Sequence, residues 1–137
     1  MKRMMLIAVM LMFAVIMFAE IPIRIIEHAE DGVGRSFAMH LRHRFINSPK
    51  YHVTTRTTDI CFVLRVATMD RYKGDYGREG VSTIFSYILT LDDGEGKEIY
   101  VTDNIGYAGY IIANSMAKDV FDDIDEWIDF LKSLVGH

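Results

Sequence analysis

The sequence predicts an α+β fold: a two-layer sandwich in which two helices cover one face of a four-stranded antiparallel meander. Three observations predict it. Two segments carry apolar residues at helical spacing, four segments between them alternate with a period of two, and the links joining those four are mostly short. The element order is then α-β-β-β-β-α, and amphipathic helices at either end of a meander can share one side of it.

A leader precedes these elements. Lys2 and Arg3 stand before an unbroken apolar run, Met4–Ala19, that stops at Glu20. A short basic head before a compact apolar segment is the pattern of a secretory signal peptide. As a helix, that run would rise about 24 Å, short of the roughly 30 Å hydrocarbon core, which fits a signal peptide better than a span. Cleavage is expected after Ala19, although Met17 is bulky for its place two residues earlier. An uncleaved anchor is the alternative, and residues 1–19 would then be the membrane contact. Either way the domain faces the far side of the membrane, because the positive charges come first. The expected location is periplasmic or secreted, or the inner membrane if the leader is retained. Residues 20–30 are expected to be a linker and residues 31–137 a single α+β domain.

The first helix starts at Asp31–Gly32 and runs to about Asn47. Val33, Phe37, Leu41 and Phe45 form its apolar stripe, widened by Ala38 and Ile46. Asn47-Ser48-Pro49 ends it, since a residue before proline avoids helical angles. Four strands follow: 51–55, 60–69, 81–91 and 97–102. Phe62, Leu64, Phe85, Tyr87 and Leu89 fall on one set of faces, and Cys61, Val63, Ile84, Ile88 and Tyr100 on the other. Asp92-Asp93-Gly94-Glu95-Gly96 reads as a hairpin turn. The polar link from Asp70 to Gly80 is longer and glycine-bearing. Gly106 and Gly109 are expected where a strand turns into the last helix. That helix, 110–134, places Ala113, Ala117, Val120, Ile124, Trp127, Ile128, Leu131 and Leu134 on one stripe among many acids.

The second sheet face carries the functional expectation. A solvated face should be polar, yet Val63, Ile84, Ile88 and Tyr100 would stand on it, and an exposed apolar patch of that kind marks a docking surface. The competing expectation is that the 70–80 link or residues 21–26 fold over it. Tyr72, Tyr76, Tyr107 and Tyr110 fall in connecting segments, where tyrosine supplies contact area at low entropy cost. They extend the expected interaction surface.

Composition narrows the partner. The formal net charge is −4, a poor match to a nucleic-acid backbone. Charge is uneven: residues 20–58 hold six Lys/Arg against four acids, and residues 92–137 hold eleven acids against three lysines. A basic first helix and an acidic last helix could attract each other or separate partners. The lone Cys61 sits in an apolar strand, where it reads as a small buried hydrophobe, with a disulfide-linked dimer as the alternative.

Chemistry-bearing motifs are sparse. Ser115-Met116-Ala117-Lys118 has the spacing of serine acyl-transfer enzymes, but the companion motifs of that class are missing. His40 and His43 lie one helical turn apart, yet Arg42 and Arg44 beside them would repel a metal ion. Asp92–Gly96 lacks the ligand register of a calcium loop. The expectation is therefore no catalytic residue, no metal and no cofactor.

Residues Leu41-Arg42-His43-Arg44-Phe45-Ile46-Asn47-Ser48-Pro49-Lys50-Tyr51-His52-Val53 resemble the helix-to-strand passage of exported bacterial domains of the TolB N-terminal and CsgG-like kinds. The resemblance implies an accessory domain of the cell envelope that works through protein contacts, and it carries over no functional residue. The expected function is thus a non-enzymatic exported domain that binds another protein. A small-ligand or inhibitor-type module using the tyrosine-bearing loops is the alternative.

Overall fold

The computed structural model describes residues 20–135 together with Lys2, Arg3, Leu6, Ile7, Met10 and Leu11. Those six N-terminal positions are helical, and Leu11 is buried with the core. The expected cleavage point after Ala19 lies outside the described residues. Among the described residues, no helix is long and apolar enough to cross a membrane.

The chain runs β1 (Ile21–Ala29), α1 (Gly32–Asn47), β2 (Tyr51–Val53), β3 (Cys61–Asp70), β4 (Ser82–Asp92), β5 (Glu98–Gly109) and α2 (Ala113–Val135). The fold is α+β with two helices, as expected, but the sheet is five-stranded and mixed, in the order β2-β1-β3-β4-β5. The expected four-stranded meander holds only for its last three strands. β1 pairs in parallel with both β2 and β3. Parallel neighbours need a crossover, and α1 is the crossover from β1 to β2.

The difference arises from Ile21-Pro22-Ile23-Arg24-Ile25-Ile26, expected to be linker. Ile21, Ile23 and Ile25 alternate and are buried, so this stretch behaves as a core strand. Pro22 is tolerated because pairing to β3 begins only at Ile23, leaving no ladder partner on that side to miss its N–H.

Asp31 starts α1 by accepting a hydrogen bond from the Gly34 N–H at 3.0 Å. Its other carboxylate oxygen accepts from Thr68 Oγ1 at 3.1 Å and Thr83 Oγ1 at 2.9 Å. One residue thus caps a helix and ties it to two strands. The buried stripe of α1 matches expectation through Val33, Phe37, Ala38, Leu41 and Phe45, while Ile46 is exposed. α2 buries Ala113, Ala117, Val120, Ile124 and Ile128, but Trp127 and Leu134 from the expected stripe are exposed.

Aromatic contacts join the layers. Phe37 of α1 stacks on Phe85 of β4 with centroids 4.3 Å apart. Phe45, Tyr51 and Phe121 form an edge-to-face cluster linking α1, β2 and α2. The basic and acidic halves do meet: Lys50 Nζ lies 2.7 Å from Asp125 Oδ1 and 2.5 Å from Asp129 Oδ1. Burial lowers the Lys50 pKa, but hydrogen bonds and attraction from those two carboxylates outweigh it and hold the pKa above the usual lysine value.

Two tyrosines fasten α2 to the sheet by donating to its carboxylates, Tyr51 to Asp125 and Tyr87 to Asp123. Burial first, then the carboxylate partner, pushes both phenols above their ordinary range. Because the folded pKa is the higher one, the unfolded chain ionises first. The contribution is complete below about pH 10 and falls as pH rises past that value. The stability gap between wild type and Tyr87→Phe is therefore expected to narrow between pH 9 and 11 in urea titrations. A gap constant across that range would contradict the assignment.

Candidate functional site

The helices cover one sheet face, and strand register defines what stands on the other. Three cross-strand rows carry its apolar residues. The first runs Met69, Ile84, Tyr107; the second His28, Ala67, Ser86, Ile105; the third Ile26, Arg65, Ile88, Asp103. Exposure is 42 % at Ile26, 43 % at Ile88, 45 % at Met69, 59 % at Tyr107 and 70 % at Ile105. Met69, Ile84, Ile88, Ile105 and Tyr107 lie in adjacent rows and make one apolar surface, with Ile26 at its edge, across Arg65 from Ile88.

The next row, Arg24, Val63, Thr90 and Tyr100, marks the end of that surface. Here the expectation fails for Val63, which is fully buried. β2 and β3 flank β1 on opposite sides, so the 54–60 link must cross β1. α1 packs on the other layer, and Arg24 Nη1 donates to the Arg56 carbonyl at 3.0 Å, which places the crossing over the open face. Cys61 is buried there too, and its thiol pKa is raised, chiefly by burial, with Arg24 opposing. It is a packed side chain, not a thiolate nucleophile.

Ion pairs organise that end of the face. Arg24 Nη2 meets Asp92 Oδ2 at 2.8 Å. Arg65 reaches Glu98 through two bonds, at 2.6 and 2.7 Å, and Thr90 Oγ1 donates to the same carboxylate at 3.1 Å. The Arg65 guanidinium holds the Glu98 carboxyl below its usual range. Tyr100 remains exposed at this margin.

The tyrosines divide. Tyr107 is not in a turn, because β5 runs twelve residues to Gly109. Gly106 lies inside that strand and makes room for a ring: a Cβ there would stand 2.6 Å from Phe85 Cζ. Across the end of the β3–β4 hairpin, the Arg71 guanidinium lies 4.4 Å from the Tyr107 ring centroid and 5.3 Å from that of Tyr72, with Arg78 5.4 Å from Tyr72. This stack fixes the 71–81 link at the border of the apolar face. Tyr76 and Tyr110 are 98 % and 73 % exposed and make no aromatic stack or cation–π contact among the described residues. Ile84, Ile88, Tyr107 and Tyr72 are therefore brought to one region, with Tyr100 at its far margin.

Sequence reasoning missed three members of this surface. Ile26 lay in the expected linker, and Ile105 lay beyond the expected end of β5. Met69 follows from the alternation that placed Cys61 and Val63 on the open face, so its signal was present.

The discarded motifs stay apart. Ser115 Oγ donates to the Ile112 carbonyl, and Lys118 Nζ pairs with Asp122 at 2.5 Å, so neither activates the other. Three acids near the hairpin turn are engaged: Asp92 by Arg24, Glu98 by Arg65, and Asp93 by the Glu95 and Lys97 N–H groups, which hold its carboxyl below the usual range. Among the described residues, no group of three or more His, Cys, Asp or Glu side chains is placed to hold a metal.

No protein-family model and no curated protein sequence matches the chain. Among solved structures, a minor lipoprotein from Acinetobacter baumannii is similar at 12 % identity and TM-score 0.49, covering 78 % of this chain and 94 % of its own. A hypothetical protein from Chlamydia trachomatis is similar at 9 % identity and TM-score 0.48, covering 83 % of this chain and 99 % of its own. At these values neither likeness bears on function. The TolB- and CsgG-like resemblance of residues 41–53 gains no support from them, although α1 and β2 do meet at that passage.

Proposed function

We propose that this is an exported, non-enzymatic binding domain whose open sheet face docks the apolar surface of another protein of the bacterial envelope. The observation that carries the reading is the run of Met69, Ile84, Ile88, Ile105 and Tyr107 in adjacent rows of a face over which neither α1 nor α2 is layered. At about 25 cal/mol per Å2, leaving such side chains in water forgoes favourable free energy, and a partner covering them would recover it. Apolar side chains rimmed by Arg65, Glu98, Asp103 and Arg71 match the usual division of an interface into an apolar centre and a polar border. The leader, with its basic head and apolar core, supports the export half of the reading.

The small-ligand alternative finds less to rest on. The hollow of about 540 Å3 beside Tyr76 is walled by Glu30, Asp31, Asp70 and Glu79 with Arg35 and Lys73. Those are charged groups, whereas a ligand module would present aromatic walls.

A photo-crosslinking residue placed at Ile105 tests the docking face in living cells. It is expected to give a discrete heavier adduct, while the same residue at Asp119 on α2 gives none. Adducts of equal yield at both positions, or none at Ile105, would contradict the proposal.

A further inference from the structure

β5 is one edge of the sheet, and among the described residues no strand pairs with its outer side. The Tyr110 N–H donates to the Val81 carbonyl at 3.4 Å, and the β4–β5 register runs back from that pair in step. Hydrogen-bonded positions alternate along an antiparallel pair. Ala108, Gly106 and Asn104 therefore turn their backbone groups toward β4, and Tyr107, Ile105 and Asp103 turn theirs outward. Ile105 agrees with this: its N–H donates to the Asn104 side-chain oxygen at 2.8 Å, in the place a neighbouring strand would occupy. Native proteins blunt a long free edge with lysine, proline or a bulge. β5 holds no lysine or proline, and its one irregularity falls at Val101, between the partners of Leu89 and Thr90, which leaves 102–109 regular.

The charges beside this edge say what fits it. Arg71 lies against the Tyr107 ring, 4.4 Å from its centroid, and Asp103 stands on the same face two residues before Ile105. Neither forms an ion pair among the described residues, and Arg65, in the same row as Asp103, is held by Glu98. Within the chain the Tyr100 hydroxyl lies near Asp103, and being neutral it leaves that charge unbalanced. Along the open face the edge thus reads negative at Asp103, apolar at Ile105 and cationic at Tyr107 with its Arg71. Run antiparallel to itself about Ile105, that order is self-complementary. Ile105 meets Ile105, and each Asp103 meets the Tyr107 that carries Arg71. Shifting the register by two residues either way loses both charge contacts.

We propose that two copies of this chain pair antiparallel through residues 102–108 of β5, about a two-fold axis at Ile105, so that two five-stranded sheets become one. The pairing gives partners to the outward backbone groups of Asp103, Ile105 and Tyr107 in both copies, with Asn104 releasing the Ile105 N–H. A two-fold contact uses one patch twice, which a self-complementary order permits. The helices of both copies fall in one layer, and the two open faces join at Ile105. A single ladder is small beside a standard interface of roughly 1,600 Å2, so the dimer is weak, with a Kd of about 10 μM. Edge pairing and the docking of an envelope protein on the face are separate, and either can fail alone.

The test uses the full chain in a neutral, density-matched detergent. Sedimentation equilibrium is expected to show a monomer–dimer equilibrium near that Kd. Arg71→Glu and Asp103→Lys, both at surface positions, are each expected to weaken it about tenfold, and the two together to restore it to within about threefold of wild type. Register is read with introduced cysteines under mild oxidation, Cys61 being buried. Ile105→Cys chains are expected to crosslink with one another, and Asp103→Cys chains with Tyr107→Cys chains but not with themselves. A self-adduct at Ile105 has twice the mass of the chain, which tells it from the adduct of an envelope partner. A chain that stays monomeric up to about 1 mM overturns the proposal. So does crosslinking that ignores position, or a double charge reversal that restores nothing.

Discussion

Replacing Gly34 with alanine is expected to destabilise the domain by about 3 kcal/mol or more, a large share of the roughly 5–15 kcal/mol that holds a domain of this size together. An added Cβ would stand 1.9 Å from Thr68 Oγ1, 2.5 Å from Thr68 Cβ and 2.4 Å from Asp31 Oδ1. None of these can yield cheaply. Thr68 is buried on β3 and bonded to Asp31, and Asp31 is the cap whose acceptor the Gly34 N–H requires. Steric overlap contributes about 1–3 kcal/mol and loss of the cap about 1 more. Urea denaturation reads the change directly. A loss below about 1 kcal/mol would show that α1 does not press on β3 as described.

Gly106→Ala is expected to cost about 2 kcal/mol by a different route. The new methyl would meet the Phe85 ring at 2.6 Å, and that ring is stacked against Phe37, itself fully buried between α1 and the sheet. The side chain cannot retreat without opening the centre of the core. Phe37→Ala would vacate the space behind Phe85, so the double variant Phe37→Ala/Gly106→Ala should be more stable than the sum of the single losses implies. Strict additivity in thermal or urea midpoints would separate the two sites and contradict this packing.

These two glycines show where the sequence was opaque. Nothing in the local pattern marks Gly34 as a point of contact between helix and strand, or Gly106 as a seat for a ring, because both roles depend on residues far away in the chain. Gly106 read as punctuation before the last helix, and that reading cut β5 short. The exposed side of an edge strand lacks the apolar alternation that reveals a core strand: Asp103, Asn104 and Ile105 follow one another in the middle of β5, all exposed. Likewise Ile21–Ile26 lay next to the sixteen-residue apolar run Met4–Ala19, whose greasiness masked a period-two pattern that would otherwise stand out.

What was legible had local causes. Asp31-Gly32 and Ser48-Pro49 bracket α1 because capping and proline sterics act within a few residues. The faces of β3 and β4 were assigned correctly because side-chain alternation is strict once a strand exists, and Ile84 and Ile88 stand on the open face for that reason. Val63 shares their face by the same rule, yet is covered by a link whose path depends on the parallel placement of β1. Facing is set by sequence alternation, but exposure is set by topology.

The central claim is that the open face is surface awaiting a partner and not core. Stability and capture measured together on Ile88→Lys test it most directly. Ile88 stands opposite Asp103 and beside Arg65, so a lysine there keeps a charge partner and remains in water. The melting temperature is expected to move by no more than about 5 °C, while the protein that crosslinks to Ile105 is no longer captured. Unfolding of the variant, or undiminished capture of that same protein, would contradict the claim.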